Sequence, residues 1–131
     1  MIQRIQTLYL FCAAIISTLG AFILPLYATT SEVFRATAGM YTFLTFGLGM
    51  SLFSGAVLLY SNRKFQLIVV RLGMLSALAA MGFIIQAILA TEGAAARWGA
   101  AAPFLSIVFA YLASKGIQKD EKKVRSLDRL R

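Results

Sequence analysis

The residues able to do chemistry are few and unevenly placed. The chain has five carboxylates, thirteen Lys and Arg, one cysteine and no histidine. Without histidine, and with Cys12 alone, one chain can build neither a structural zinc site nor a Ser-His-Asp or Cys-His arrangement, and no intrachain disulfide can form. Glu32 has Arg35 near it and Glu92 has Arg97, so two carboxylates could approach each other with a cation apiece; solvated loop charges account for the same spacing without any reaction. Asp120, Glu121 and Asp128 lie among the cations of the C-terminal stretch, and no nucleophile stands beside a base. The expectation is a protein that is not an enzyme and uses no metal and no cofactor.

The elements that must position these groups are apolar. Hydrophobic residues make up 60% of the 131 and charged ones 14%, against about 25% charged in an ordinary soluble domain. A water-soluble fold of this size needs a polar surface, whereas in lipid the outside can be as apolar as the core. A membrane helix takes about 20 apolar residues. Four runs qualify: 8–26, 41–60, 72–90 and 98–114, none containing Asp, Glu, Lys or Arg. The predicted fold is all-α, an integral membrane four-helix bundle of antiparallel up-down topology over 1–116, followed by a basic amphipathic cytosolic tail over 117–131. The third helix can start earlier, near Phe65, with Arg71 snorkelling to the interface.

The aromatic residues agree with this register, because amphipathic rings prefer the headgroup level. Tyr9, Tyr60 and Tyr111 mark one interface, and Tyr27, Tyr41 and Trp98 the other. Orientation follows from the positive-inside bias. Arg4, Arg63, Lys64, Arg71 and the seven cations from Lys115 to Arg131 share one side, leaving Arg35 and Arg97 opposite. Both termini are therefore expected in the cytosol, in a multi-pass protein of a bacterial cytoplasmic (inner) membrane. The first run is too long for a secretory signal, and Leu26-Tyr27-Ala28 is a poor cleavage site, so an uncleaved first helix is expected. Pro25 is read at the outer end of that helix and Pro103 in the first turns of the fourth, where a missing backbone N–H costs least.

Lipid gives no hydrophobic reward for helix contact, so small residues that let backbones meet are the natural seams. Gly47, Ser51 and Gly55 form such a stripe on the second helix, Ala102, Ser106, Ala110 and Ser114 on the fourth, and Gly73 with Ala77 on the third. The same stripes could face another copy of the chain. Hydroxyls within the spans can bond their own helix. Gln86 is expected to hydrogen-bond across helices.

Proton-coupled transport requires an ionisable group within the membrane, and the glutamates all lie outside the runs. The charge collects instead in the tail, where seven cations accompany three acids. There Ile117, Val124, Leu127 and Leu130 recur at seven, three and three residues, and Glu121 to Arg125 is an i,i+4 pair, so the tail should be helical. It either continues the fourth helix or bends at Gly116. Lying flat, it would attract anionic lipid headgroups; projecting, it would meet an acidic protein or the RNA of a ribosome.

Particular stretches carry a family likeness. The opening Met1-Ile2-Gln3-Arg4-Ile5-Gln6-Thr7-Leu8-Tyr9-Leu10, the middle Asn62-Arg63-Lys64 and the ending Lys119-Asp120-Glu121, Val124-Arg125-Ser126 and Asp128-Arg129-Leu130-Arg131 resemble the bacterial inner-membrane family known as domain of unknown function 4293, typical of the Bacteroidota. Lys123 departs from it, standing where that family has an apolar residue. The resemblance implies four helices in the cytoplasmic membrane and no established activity. If its members share a working surface, the recognisable ends place it on the cytosolic side. Candidate lipid- or partner-binding residues are thus Gln3, Arg4, Gln6, Arg63, Lys64, Arg71, Lys119, Asp120, Glu121, Arg125, Asp128, Arg129 and Arg131. The expected role is a non-enzymatic accessory or scaffold subunit whose basic face docks on lipid bilayer headgroups or a protein or ribosome partner. The alternative is a small oligomeric channel, transporter or lipid-binding protein built on the Gly47, Ser51, Gly55 face.

Overall fold

A computed structural model describes residues 2–130, with side chains from Ile5 onward. Four helices dominate: α1 (Ile2–Phe22), α2 (Met40–Leu58), α3 (Arg63–Ala90) and α4 (Ala102–Arg129). All four include a stretch long and apolar enough to cross a membrane. Helix α1 packs on α2 and α4, and α3 packs on the same two.

Each helix turns one narrow seam inward. In α1 the buried positions include 6, 10, 13, 17 and 20; in α2 they are 42, 46, 49, 53 and 56. In α3 they include 66, 70, 73, 77, 80 and 84, and in α4 they include 103, 106, 110, 113, 117 and 120. Steps of four and three alternate throughout, the spacing by which helices in close bundles keep one face against their neighbours. Large side chains fill gaps left by small ones. Phe53 is fully buried, and a Cβ on Gly73 would lie 2.6 Å from its ring. A Cβ on Gly20 would meet Phe46 at 2.6 Å and Ala102 Cβ at 3.0 Å.

This seam corrects the expected contact face of α2. Gly47 and Gly55 have nothing within 4 Å of where a Cβ would sit, and Ser51 is exposed, its hydroxyl donating to Gly47 O at 2.8 Å. The stripe faces outward because Phe46 and Phe53, one step round the helix, take the interior. Ala102, Ser106 and Ala110, by contrast, are buried against α1.

Polar groups inside the bundle are paired. Ser17 Oγ and Ser106 Oγ are 3.1 Å apart, and Ser76 Oγ donates to Thr45 O at 2.6 Å, so these hydroxyls bridge helices rather than serve their own. Thr18 and Ser114 do bond their own helices. No buried side-chain N or O among the described residues lacks a partner. Gln86 is exposed one turn before the end of α3, contrary to the expected cross-helix bond, because it lies off the inward seam that carries Ala80 and Ile84.

The chain is not purely helical. Helix α1 stops at Phe22, short of the expected 26, because the residue before Pro25 is barred from helical geometry. Pro25 then opens a strand, β1 (Pro25–Ala28), which pairs antiparallel with β2 (Val33–Arg35) on one side and β3 (Ala95–Ala96) on the other. Arg97 N donates to Leu26 O at 3.0 Å, and Gly99 lies so close that a Cβ would sit 2.5 Å from Pro25 O. This small sheet ties the α1–α2 connection to the α3–α4 connection at one end of the bundle. Helix α4 follows with Pro103 in its first turn, where its missing N–H has no helical partner to lose.

The packing predicts unequal costs for glycine substitutions. Gly73→Ala and Gly99→Ala should each destabilise by about 1–3 kcal/mol through overpacking. Gly47→Ala and Gly55→Ala should leave stability unchanged or slightly raised, as read by thermal unfolding in detergent.

Candidate functional site: a basic groove at the end of the bundle

At the end opposite the sheet, three parts of the chain meet: the first turns of α1, the α2–α3 turn, and the last third of α4. The α2–α3 turn is short. Leu59 N and Asn62 N bond back to Ala56 O and Leu59 O, and Asn62 Oδ1 accepts from Phe65 N at 3.3 Å, capping α3. The first turn of α3 therefore displays Arg63 and Lys64, with no acid among its residues.

Helix α4 runs past this turn without a break, as one helix of 28 residues. At about 1.5 Å per residue that is about 42 Å, well beyond a hydrocarbon core of about 30 Å. Ile117 is fully buried in the bundle, whereas Val124, Leu127 and Leu130 are exposed. The apolar stripe of the tail is thus divided between core and surface. Every residue from 122 to 130 is exposed.

At this level a buried polar contact ties α4 to α1. Gln6 Nε2 donates to Asp120 Oδ2 at 2.7 Å, and both side chains are buried. Gly116 makes the room: a Cβ there would lie 2.7 Å from Gln6 Cγ. On the other side of the bundle Gln66 Nε2 donates to Ala56 O at 2.9 Å, holding α3 against the end of α2. Gln6 and Asp120 were both expected on a partner-binding surface; they instead spend their polar atoms on each other.

Between the α2–α3 turn and α4 lies an open groove of about 640 Å³. Tyr60, Ser61, Asn62, Arg63 and Lys64 form one wall, and Glu121, Val124 and Arg125 the other. Arg125 donates to Glu121 at 3.0 Å; with Arg125 largely exposed, the pair adds little to stability. Arg63 and Lys64 form no ion pair among the described residues. The structure therefore brings Arg63, Lys64, Glu121 and Arg125 together. Arg71, Lys119, Asp128 and Arg129 are exposed outside the groove. The side chains of Gln3 and Arg4, and Arg131, lie outside the described residues.

Tyr60, Ser61 and Val124 were not anticipated as groove residues, since no local pattern links a turn to a helix some sixty positions later. Among the described residues no cluster of three metal-ligating side chains occurs, and Glu32, Glu92, Arg35 and Arg97 are exposed without ion pairs.

Fold and site define a mostly helical, four-helix protein with membrane-length apolar helices and a basic groove at one end. The chain matches "Domain of unknown function (DUF4293)" over residues 2–130 and belongs to that family. No curated protein and no solved structure matches it.

The Gln6 contact can be checked by a double-mutant cycle. Gln6→Ala should cost about 1–3 kcal/mol, because it strips a buried carboxylate of its donor. Gly116→Ala should be destabilising in the native background and nearly neutral in the Gln6→Ala background, where the blocking side chain is gone.

Proposed function

We propose that this chain crosses a bacterial cytoplasmic membrane four times in alternating directions, with both termini in the cytosol. There it acts without catalysis, as an accessory or scaffold subunit that presents the end of α4 to an acidic protein partner. The membrane reading is supported by four apolar helices of spanning length and by exposed large apolar side chains around the bundle, such as Leu8, Leu44, Leu75 and Phe104. Alternating direction is supported by the contacts, in which Gln6 meets Asp120 and Ser17 meets Ser106. The orientation rests on the charge bias of the sequence, in which eleven of the thirteen cations fall beside the two termini and the α2–α3 connection.

One observation carries the functional reading: α4 leaves the bundle as an unbroken helix with all of residues 122–130 exposed. A tail lying flat on lipid would need a bend near Gly116, and Gly116 is packed on Gln6 within the helix. The exposed acid Asp128, set among the cations of the tip, weighs against RNA, whose phosphates would gain nothing from it. A protein surface can use the mixture, with Val124, Leu127 and Leu130 as apolar anchors and the cations around them for steering.

A second reading, an oligomeric channel, transporter or lipid-binding protein, is favoured by one feature. An apolar groove of about 460 Å³, lined by Phe22, Phe43, Gly47, Leu48 and Ser51 among others, runs along the outward stripe of α2. A path between copies fits this better than one at the level of Ser17, Gly49 and Pro103 inside the bundle, where the void is about 10 Å³, at the lower limit for one water.

Purification from native membranes in mild detergent should recover a stoichiometric partner, and deletion of residues 121–131 should release it while the bundle still melts cooperatively. Recovery of the lone chain each time would count against the scaffold. A homo-oligomer without other proteins, dispersed by Gly47→Leu, would support the second reading.

A further inference from the structure

We infer that the groove between the α2–α3 turn and α4 is a binding site for the phosphate-bearing headgroup of an anionic glycerophospholipid from the cytosolic leaflet. The inference rests on the membrane placement proposed above and adds a ligand distinct from the protein partner of the α4 tip.

Charge comes first. The groove holds three cations and one acid, and that acid is already bonded to Arg125. Arg63 and Lys64 are left without ion pairs among the described residues, adjacent to each other on one wall. Both cations line the groove, so an anion held there meets charge that no protein group among the described residues neutralises. A guanidinium offers a planar pair of donors to phosphate oxygens, and an ammonium adds a compact charge. The two are therefore suited to a phosphodiester.

Size and place select a lipid over a free ion. A volume of about 640 Å³ falls in the range of small-molecule sites, about 300–1,000 Å³, and is far more than one phosphate fills. The wall formed by the turn follows directly on an apolar rim. Leu58 and Phe65, on either side of the turn, are 78% and 58% exposed, and Tyr60 lies between them at 60%. Exposed apolar side chains and a tyrosine beside paired cations mark the depth at which glycerol and phosphate reside, with acyl chains on the apolar side. Ser61 and Asn62 add polar atoms where a glycerol headgroup would be hydrated.

The test uses the purified full-length chain in detergent, titrated with phosphatidylglycerol, cardiolipin, phosphatidylethanolamine or inorganic phosphate and read by native mass spectrometry. Retention of the anionic lipids, and not of phosphatidylethanolamine, is expected. The double variant Arg63→Gln/Lys64→Gln should weaken that retention by about tenfold or more. The variant Lys122→Gln/Lys123→Gln removes equal charge outside the groove and should change it less than about twofold. Arg63 and Lys64 make no side-chain hydrogen bond or ion pair among the described residues, so unchanged melting is expected in both. Equal losses in the two variants would overturn the site in favour of diffuse attraction. Competition by millimolar inorganic phosphate would overturn the lipid as its source. Because no partner is present, loss of the protein partner in cells leaves this result untouched, and a lipid failure leaves the α4 tip reading standing.

Discussion

The seam between α1 and α4 is the constraint on which the rest of the molecule depends. In the membrane setting proposed for it, helices have no hydrophobic gain on meeting, and the contact would come from close packing and internal hydrogen bonds. Here it runs from Gly20 against Ala102, through the Ser17–Ser106 pair, to Gln6 fitted over Gly116 and bonded to Asp120. Small residues at one end and a polar clasp at the other hold α4 against α1, the two running in opposite directions. Two consequences follow from that alone: the charged end of α4 leaves the bundle as a rod, and Glu121 and Arg125 come to face the α2–α3 turn.

The two ends of the molecule are built on different principles. At one end a three-stranded sheet joins two connections and satisfies their backbone groups locally, with Gly93 in left-handed geometry at the turn before β3. That end carries few charges, Glu32, Arg35, Glu92 and Arg97. The other end dispenses with regular backbone pairing and uses side chains: Asn62 caps α3, Gln66 ties it to α2, and Gln6 clasps Asp120. Amides suit this depth because they satisfy buried partners at no cost of a buried second charge.

Much of the architecture was legible in the sequence, and the reasons for the remainder are specific. Four helices were visible in length and apolarity, since the requirement to span hydrocarbon is one-dimensional. The α4 stripe of Ala102, Ser106 and Ala110 was legible as a packing face, whereas Gly47, Ser51 and Gly55 looked the same and faces outward. A four-residue spacing drifts round a helix, and the interior of α2 follows the alternating step that carries Thr42, Phe46, Gly49, Phe53 and Ala56. The short strands escaped notice because they are two to four residues long and depend on pairing across distant loops. Of the site, the cations were evident as a class. Which of them converge was not, because the meeting of Arg63 and Lys64 with Arg125 is a product of helix order. Gln6 and Asp120 were visible as polar residues at recognisable ends, but only the facing Gly116 reveals that they point inward.

The account stands on the charged end of α4 lying across the hydrocarbon from the strand end of the molecule. With Cys12 replaced by alanine, single cysteines at Asp128 and at Ser31 can be probed with a membrane-impermeant maleimide in spheroplasts and in inverted membrane vesicles. The cysteine at 128 should react only in inverted vesicles and the one at 31 only in spheroplasts. Reaction of both on the same side, or of position 128 from outside intact spheroplasts, would contradict it.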